Sequence, residues 1–364
     1  MSLYNKKNNY NVLDLFCGCG GLSKGFEMAG YSIVLGVDFN EPALKTYAHN
    51  HKGSKTLCGD LSNPNTFDTI DSLLEGKRVD VIIGGPPCQG FSLTGPRNFD
   101  DERNKLYLAM IETVRRYSPR AFMIENVPGM ASLYNGEVKD EIIRRFTAMG
   151  YKVNCKVLCA ADYGVPQIRK RLVFVGLKDG EDIFEFPEPT NTPDNYVTCE
   201  QAISDLPSLE STLGAEKMEY ESSPSTSYQK LMRGECNVLS NHKAIDHKDF
   251  VKETIAQVPD GGNYKDLPKG VGESRIFHMA WTRYRSDKPS RTIDTGHRNN
   301  FHYKWNRCPT VRESARLQSF PDDFVFLGTK TQQDRQVGNA VPCLMAKAIG
   351  VQIMKYLDSN EKED

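Results

Sequence analysis

The residue best suited to covalent chemistry is Cys88, in the segment Gly84-Gly85-Pro86-Pro87-Cys88-Gln89-Gly90-Phe91-Ser92. The run before this segment, residues 79–83, is largely apolar and β-branched, which is typical of a buried strand. Cys88 therefore follows a strand end, where reactive groups of open α/β sheets gather. A thiolate at such a place could act as a nucleophile. Cysteine is also a common small buried side chain, so this segment alone leaves both interpretations open.

A carboxyl group and two guanidinium groups follow the next predicted strands. Glu125 comes directly after residues 121–124, and adjacent parallel strand ends bring their side chains to one site. A thiolate beside a carboxylic acid suits attack on an electron-poor ring, because the acid can protonate a ring nitrogen. Residues 167–171 open a further predicted strand, and alternation places Arg169 and Arg171 on one face. They could grip a carbonyl oxygen or a phosphate; a solvated strand edge is the alternative.

A glycine-rich turn, Cys17-Gly18-Cys19-Gly20-Gly21, separates the first predicted strand from the first predicted helix. It matches a dinucleotide-binding pattern only in part, because Ser23 occupies the third glycine position, so a plain tight turn is the alternative. Asp38 and Asp60 end the next two extended segments, where carboxylates can bind ribose hydroxyls and an adenine amino group. These three loops predict a site for an adenosine-containing cofactor, although each aspartate could instead cap a helix.

The pattern of elements that must position these residues divides the chain in two. Its 364 residues suffice for about two domains. Strand and helix patterns alternate through the first part of the chain, which predicts an α/β doubly wound domain. From residue 190 to 288 periodicity is weak and turn-forming residues are common, which predicts a smaller, loop-rich domain. Helical periodicity returns at residues 311–318 and 342–356.

The composition restricts the class of protein. Hydrophobic residues make up 39% of the chain and the net charge is −1, so the chain as a whole is not a basic nucleic-acid-binding protein. We expect a cytoplasmic location, because no apolar run approaches the roughly 18 residues that cross a membrane and no apolar signal core is visible. The ten cysteines lack metal-site spacing, so we expect free thiols and no metal.

These motifs resemble those of the DNA cytosine-C5 methyltransferases of bacterial restriction-modification systems. Six blocks occur in that family's order and span almost the whole chain: Asp14-Leu15-Phe16-Cys17-Gly18-Cys19-Gly20-Gly21, Pro87-Cys88-Gln89-Gly90-Phe91-Ser92, Glu125-Asn126-Val127, Gln167-Ile168-Arg169-Lys170-Arg171, Arg291-Thr292-Ile293 and Gln336-Val337-Gly338-Asn339-Ala340-Val341-Pro342. The resemblance implies a class I S-adenosylmethionine-dependent methyltransferase, an α/β fold with a Rossmann-like doubly wound sheet. It implies a catalytic domain of residues 1–185 plus 310–364, and a smaller, loop-rich target-recognition domain of residues 186–309.

The activity that the resemblance implies is methyl transfer from S-adenosylmethionine to carbon 5 of a cytosine flipped out of a short specific duplex sequence. Cys88 would add to carbon 6 and Glu125 would engage nitrogen 3. Arg171 would contact the cytosine carbonyl, and Arg169 would support the site or a phosphate. The residues implied to bind the cofactor are Phe16, Gly18, Gly20, Asp38, Phe39, Asp60, Leu61, Pro86, Leu106, Asn339 and Val341.

The substrate implied is double-stranded DNA. Residues 260–310 carry ten Lys and Arg against five Asp and Glu, with aromatic residues interleaved, which suits a phosphate-contacting face. A solvated loop surface with a small aromatic core is the alternative. The residues expected to contact DNA are Gln89, Ser92, Arg97, Arg283, Arg285 and Arg291, and our hypothesis is that Arg283 or Arg285 reads the sequence. We also expect a monomer in the nucleoid and a cognate restriction endonuclease outside any permanent complex.

Three other functions fit part of the sequence. A tRNA cytosine-5 methyltransferase would use the same site, but the length of the loop-rich segment and the residues after Gln89 favour DNA. A catalytically silent DNA-binding relative would not need Cys88, Glu125 and both arginines. A dinucleotide oxidoreductase is disfavoured by Ser23 and by the block around Asn339.

Overall fold

The computed structural model describes residues 10–87, 105–178, 182–273, 277, 280–296 and 299–360. Strands and helices alternate in the first half, and shorter elements follow. In chain order the strands and α-helices are β1 (Asn11–Leu15), α1 (Gly21–Ala29), β2 (Ser32–Asp38), α2 (Glu41–Asn50), β3 (Lys55–Cys58), α3 (Asn65–Leu74), β4 (Val81–Gly84), α4 (Lys105–Tyr117), β5 (Ala121–Asn126), α5 (Glu137–Thr147), β6 (Tyr151–Cys159), β7 (Gln167–Ile168), β8 (Lys170–Lys178), α6 (Cys199–Ile203), β9 (Gly214–Met218), α7 (Ser227–Arg233), β10 (Leu239–Lys243), α8 (Asp249–Ala256), β11 (Thr282–Arg283), β12 (Ser290–Arg291), β13 (Asn300–Phe301), α9 (Val311–Leu317), α10 (Lys330–Asn339) and α11 (Cys343–Asn360).

Seven strands form one sheet in the order β3-β2-β1-β4-β5-β8-β6. β1 runs parallel to β2 and β4, and the parallel pairs β2–β3 and β4–β5 extend the sheet in both directions. β8 is antiparallel to both β5 and β6. The predicted α/β sheet is confirmed, and it carries an antiparallel edge that the alternation of strands and helices did not predict.

The strand order reverses between β1 and β4, and ligands of open α/β sheets bind outside the carboxyl ends of the strands at such a point. β1 ends at Leu15 and β4 ends at its partner, Gly84. A Cβ atom on Gly84 would lie 2.8 Å from the carbonyl oxygen of Leu15. Glycine is therefore required for this close approach of two backbones.

The sheet is held by an apolar core that its own strands and the flanking helices share. Leu13 of β1, Ile82 of β4, Ile124 of β5, Met110 of α4 and Phe146 of α5 are fully buried members of this core. Strands buried on both faces explain the near-continuous apolar runs of the sequence. The result is a rigid base for the loops at the carboxyl ends of the strands.

The chain divides into two compact units. The first comprises Met1–Cys159, Lys170–Glu188 and Met345–Asp364, and the second comprises Ala160–Arg169 and Pro189–Leu344. The predicted catalytic and recognition domains, with boundaries at residues 185/186 and 309/310, are assigned by function and stay a prediction.

The second unit is ordered by polar contacts as well as by apolar ones. The guanidinium of Arg316 in α9 donates to Asp205 at 2.9 Å and to Asp322 at 2.7 Å, and all three residues are buried. Arg307 donates to both oxygens of Glu313 at 2.7 Å. The short helices α6, α7 and α9 each begin with a threonine capping box. These polar contacts and caps explain why the region is folded although its sequence shows weak periodicity.

The segment Ala160–Arg169 belongs to the second unit although the chain on both sides of it belongs to the first. Its strand β7 pairs with β12, and the Ser290 backbone N–H donates to the carbonyl oxygen of Pro166 at 2.9 Å. The side chain of Gln167 donates to the carbonyl oxygen of Leu317 at 3.1 Å. These contacts fix the segment within the second unit.

The stretch Lys330–Ser359, which comprises α10 and most of α11, has the length and apolar character that a membrane span requires. Its most apolar window is 56% buried within the protein, and core helices of soluble proteins have the same character.

Candidate active site

The glycine turn after β1 contains three residues in the left-handed backbone region: Phe16 (φ 56°), Gly18 (φ 54°) and Gly20 (φ 96°). Gly20 closes the turn by donating its backbone N–H to the carbonyl oxygen of Cys17 at 2.9 Å. For a bulky residue such as Phe16 this conformation costs roughly 1–3 kcal/mol and persists only where the surroundings hold it. The turn is therefore a strained element that its neighbours must stabilise.

Asp38, the last residue of β2, is one of those neighbours. Its Oδ2 accepts the backbone N–H of Gly18 at 2.8 Å, and its Oδ1 accepts that of Asn40 at 2.7 Å. Burial raises the pKa of this carboxyl group, although hydrogen bonds from the backbone N–H groups of Asn40, Gly18 and Phe39 oppose the shift. Asp38 thus ties the glycine turn to the end of β2.

Four further cofactor candidates of the first unit lie just beyond β1, β2 and β3, which are parallel neighbours. Phe16 is half-buried after β1, whereas Phe39 is 66% exposed after β2. After β3, Asp60 is exposed and Leu61 is buried; the Asp60 Oδ1 accepts the backbone N–H of Ser62 at 2.8 Å. Two aromatic side chains and two carboxylates therefore occupy one edge of the sheet.

The chain leaves β4 through Gly85, Pro86 and Pro87. The buried side chain of Asn126, at the end of β5, donates to the carbonyl oxygen of Pro86 at 2.9 Å and accepts the backbone N–H of Val127 at 2.8 Å. The turn is thereby fastened to the neighbouring strand end. The next residue, Cys88, and the predicted DNA-contacting residues Gln89, Ser92 and Arg97 lie outside the described residues.

Glu125 and Arg171 lie side by side in the first unit. β5 and β8 are antiparallel partners, with Glu125 opposite Val173, and the Nε atom of Arg171 lies 2.6 Å from the Glu125 Oε1. Their side chains are 12% and 14% exposed respectively. A Cβ atom placed on Gly85 would lie 3.2 Å from the Glu125 Oε2, so the carboxylate also reaches the turn that leads to Cys88.

The predicted continuous strand through residues 167–171 is wrong. β7 ends at Ile168 and pairs with β12, whereas β8 begins at Lys170 and pairs with β5 and β6. Arg169 lies at the break, buried in the second unit, while Arg171 belongs to the first. Alternation along one strand therefore does not relate the two arginines, because the chain changes sheets between them.

The other predicted cofactor residues are Leu106, Asn339 and Val341. Leu106 is half-buried in the first turn of α4, in the first unit. In the second unit Asn339 is exposed at the end of α10, and Val341 is buried just before α11. The roles of Asn339 and Val341 at the cofactor stay predictions.

The prediction that Arg283 reads DNA does not fit its surroundings in the second unit. Arg283 is only 5% exposed, and its guanidinium donates to four carbonyl oxygens and one side-chain oxygen within the protein. The acceptors belong to Val258, His302, Trp305, Ile255 and Asn306. This side chain joins α8 to the loop of residues 302–306 and has a structural role.

The other arginines predicted to contact DNA are more accessible. Arg285 is exposed and pairs with Asp287 at 2.5 Å, and Arg291 is exposed in β12. The interleaved aromatics are mostly internal: Trp281 and Phe301 are buried in one apolar cluster with Ile255. The aromatic-core alternative is thus confirmed for these two residues.

The chain is similar in sequence to a known protein family. The family model described as "C-5 cytosine-specific DNA methylase" matches residues 10–355. The chain belongs to this family. It is 41% identical to the Type II methyltransferase M1.HphI of Haemophilus parahaemolyticus over 352 residues, covering 96% of this chain and 87% of that protein. It is 37% identical to M.DdeI of Desulfomicrobium norvegicum over 374 residues, covering 96% and 89% respectively.

The methyltransferase also resembles a solved structure. The crystal structure of a protein described as a DNA modification methyltransferase encoded within a prophage (E. coli) matches 96% of this chain and all of that one. The TM-score is 0.79 at 29% sequence identity. The class I methyltransferase fold expected from the sequence is thereby confirmed.

This methyltransferase transfers a methyl group from S-adenosylmethionine to carbon 5 of cytosine in DNA. The family description names DNA, which favours the DNA interpretation over the tRNA alternative. No group of three or more potential metal ligands occurs among the described residues.

Two residues important for the geometry of this methyltransferase were not singled out from the sequence: Asn126 and Asp14. Both lie inside motif blocks, Asn126 directly after Glu125 and Asp14 two residues before Phe16. The available signal was a polar residue at the end of an apolar strand, which must find a hydrogen-bond partner if it is buried.

Proposed function

We propose that Cys88 is the nucleophile of this methyltransferase and that Glu125 and Arg171 hold the target cytosine. The observation that carries the proposal is the position of Glu125. It lies at the end of β5, against Arg171 on one side and the turn that leads into Cys88 on the other. Asn126 fastens the same turn through Pro86. A carboxylate, a guanidinium and the turn of residues 85–87, which precedes Cys88, thus share one strand-end region.

The chemistry follows from the weakness of carbon 5 as a nucleophile. Addition of the Cys88 thiolate to carbon 6, with Glu125 hydrogen-bonded to nitrogen 3, makes carbon 5 electron-rich. Bound S-adenosylmethionine supplies an electrophilic methyl group. Transfer of the carbon 5 proton to a base, and departure of the Cys88 thiolate, restore the aromatic ring. A base stacked in a duplex cannot be attacked in this way, so the cytosine must be flipped out.

The residues of the first unit fit S-adenosylmethionine. The exposed ring of Phe39 offers an uncovered aromatic face for adenine, and the exposed carboxylate of Asp60 can accept from its amino group. Asp38 still has acceptor capacity for a ribose hydroxyl, because its carboxylate has about four acceptor sites and accepts the backbone N–H groups of Gly18, Phe39 and Asn40. Further contacts would come from Phe16, Gly18, Gly20, Leu61, Pro86 and Leu106, with Asn339 and Val341.

The names of the relatives support a place in a restriction-modification system. Such an enzyme would methylate a short specific duplex sequence as a cytoplasmic, nucleoid-associated monomer, and a cognate restriction endonuclease would act on the same sequence without a permanent complex. Arg285 and Arg291 are exposed arginines in the described part of the basic region and could contact DNA. Gln89, Ser92 and Arg97 would contact DNA from the loop after Cys88.

The proposal is tested by covalent trapping. Bisulfite sequencing of DNA from a host that expresses the protein identifies the target sequence, and a duplex with 5-fluorocytosine at that position is then synthesised. The wild type should form a denaturation-resistant adduct in the presence of S-adenosylmethionine. Cys88→Ala should form none while still binding DNA, and Cys236→Ala, which removes another free thiol, should trap like the wild type. An adduct with Cys88→Ala would refute the assignment.

A further inference from the structure

Three side chains form a buried hydrogen-bonded chain beneath the glycine turn. Ser23 Oγ donates to the Asp14 Oδ2 at 2.6 Å and lies 2.8 Å from the Tyr47 hydroxyl oxygen. Asp14 is at the end of β1, Ser23 is in the first turn of α1, and Tyr47 is in α2. The chain therefore joins the three elements that surround the turn.

Two glycines make room for this arrangement. A Cβ atom on Gly36 would lie 2.8 Å from the Tyr47 hydroxyl oxygen, and one on Gly20 would lie 2.9 Å from the Tyr47 ring and 2.1 Å from His51 Nε2. His51 packs on the Tyr47 ring and reaches Glu27 of α1 with its Nδ1 at 2.8 Å. Tyr47 is thus held in one position by close packing on several sides.

Asp14 also caps α1. The N-cap residue is Gly20, which has no side chain to accept from the first turn, and the Ser23 backbone N–H bonds the Asp14 carboxyl group instead. The other carboxyl oxygen, Oδ1, is buried without a hydrogen-bond partner in the described part of the chain. A charged carboxylate with one bare buried oxygen is costly, whereas an uncharged acid is tolerated.

We propose that Asp14 is a positioning residue that acts through Ser23 and Tyr47 to hold the glycine turn in the shape that binds S-adenosylmethionine. The inference rests on the proposed cofactor site. The turn needs such support because Phe16, directly before it, holds a left-handed backbone that is costly for a bulky residue, and Asp38 supports the turn only from the side of β2. Asp14 supports the turn from the side of α1 and α2, through Ser23 and Tyr47.

The support that Asp14 gives to the glycine turn should depend on pH. Burial raises the pKa of Asp14 to about 8, the hydrogen bonds from Ser23 oppose the shift, and the charge of Asp38 adds to it. The other titratable groups that face Asp14 are Cys17 and Cys19 in the turn and Tyr47 in α2. The paired residue of β4 is the apolar Ile83. Asp14 is therefore uncharged at neutral pH and becomes a buried anion above about pH 8.

The test measures the dissociation constant of S-adenosylmethionine by titration calorimetry from pH 6.5 to 9.5. Asp14→Ala and Ser23→Ala should each weaken binding at pH 7 by about tenfold, because each leaves a buried polar group without its partner. The turnover number at saturating cofactor should change much less. The wild-type dissociation constant should rise as pH passes 8. Asp14→Asn, which stays uncharged, should bind well at every pH and rescue the alanine variant.

The inference is overturned if Asp14→Ala and Ser23→Ala bind the cofactor like the wild type, or if Asp14→Asn keeps the wild-type pH dependence. Should Asp14→Ala fail to fold, Tyr47→Phe removes only the hydroxyl group, and unchanged cofactor affinity in that variant counts against the proposal. Asp38→Ala and Phe16→Ala separate the two questions. If both variants bind S-adenosylmethionine normally, the proposed cofactor site is wrong. If these two variants lose binding and the Asp14 variants do not, the cofactor site stands and only the proposed role of Asp14 is wrong.

Discussion

Because Gly85 has no Cβ atom, it leaves room for the carboxylate of Glu125. A Cβ atom on Gly85 would lie 3.2 Å from the Glu125 Oε2, closer than most side-chain contacts. Arg171 holds the other oxygen at 2.6 Å, so the carboxylate cannot move aside without leaving its partner. Glycine at this position therefore preserves the orientation of Glu125.

We expect Gly85→Ala to lower the turnover number by about 10- to 100-fold, since small displacements of reacting groups have effects of that size. Cofactor affinity should change little. The measurement is methyl transfer from labelled S-adenosylmethionine to the target duplex. Gly53→Ala is the matched control, because a Cβ atom there meets nothing within 4 Å. Equal turnover of the two variants would contradict this account of Gly85.

A second single-residue substitution tests whether the buried side chain of Arg283 stabilises the fold. Arg283→Met removes a guanidinium with five acceptors and leaves buried carbonyl oxygens of Val258, His302 and Ile255 without that donor. We expect a loss of roughly 2–4 kcal/mol in the free energy of unfolding, measured by urea denaturation. Arg285→Gln, on an exposed residue paired with Asp287, should leave the free energy of unfolding nearly unchanged.

DNA binding by these variants separates a structural role from a reading role. If Arg283 contacted DNA, its removal would lower the dependence of affinity on salt concentration. We expect that slope to stay unchanged in folded Arg283→Met protein. A reduced slope with unchanged stability would restore the hypothesis that Arg283 reads DNA.

At the scale of elements, the turn after β4 depends on the end of β5. Asn126→Asp keeps the acceptor for the Val127 N–H but loses the donor to the Pro86 carbonyl oxygen. We expect the turn to lose its anchor and the rate of trapping by 5-fluorocytosine DNA to fall by about tenfold or more. Cofactor affinity, measured in parallel, should be nearly unaffected. A wild-type trapping rate would show that Asn126 does not position the nucleophile loop.

The elements of the first unit were largely predictable because their signals are local. Apolar runs marked the buried strands, and a glycine, Gly30 with φ 102°, ends α1 as a left-handed C-cap. The break at Arg169 was not predictable, because Ile168 and Lys170 join different sheets, Ile168 through Arg291 and Lys170 through Cys159. Alternation describes one strand and carries no information on where a chain changes sheets.

The candidate site residues likewise divide into those that local sequence places and those that only the tertiary fold places. Asp38, Asp60 and Glu125 could be placed at strand ends from the order of elements. The burial of Arg283 could not, because its acceptors come from α8 and from residues 302–306, brought together only by the tertiary fold. A basic residue in a basic segment looks like a surface contact until those carbonyl groups are known.

At the scale of the whole molecule, the buried ionisable groups of the second unit predict instability in acid. Burial lowers the pKa of His302 to about 3, although Glu313, with Oε1 3.6 Å from its Nε2, opposes the shift. Burial alone would raise the pKa of Glu313, but Arg307 and His302 hold it well below its usual range. The unfolded chain therefore takes up protons that the folded chain excludes, first on His302 below about pH 6.5 and then on Glu313 below about pH 4.5.

We expect the free energy of unfolding to fall by about 2–3 kcal/mol between pH 6.5 and 4.5 through His302 alone. His302→Asn should make this slope shallower, because the amide oxygen can still accept the backbone N–H groups of Lys304 and Trp305 without taking up a proton. Urea denaturation at several pH values measures the slope. The exposed His49→Asn should leave it unchanged. An identical slope in both variants would contradict the assignment to His302.

The ten residues of Ala160–Arg169 have a consequence for the making of hybrid enzymes. Transplanting residues 189–344 from a relative with another sequence preference would leave this segment behind, with its Pro166 and Gln167 facing foreign neighbours in place of Ser290 and Leu317. A chimera that carries both pieces from the same donor keeps those contacts. Our assignment of DNA reading to this unit predicts that specificity is exchanged only when residues 160–169 and 189–344 come from the same donor.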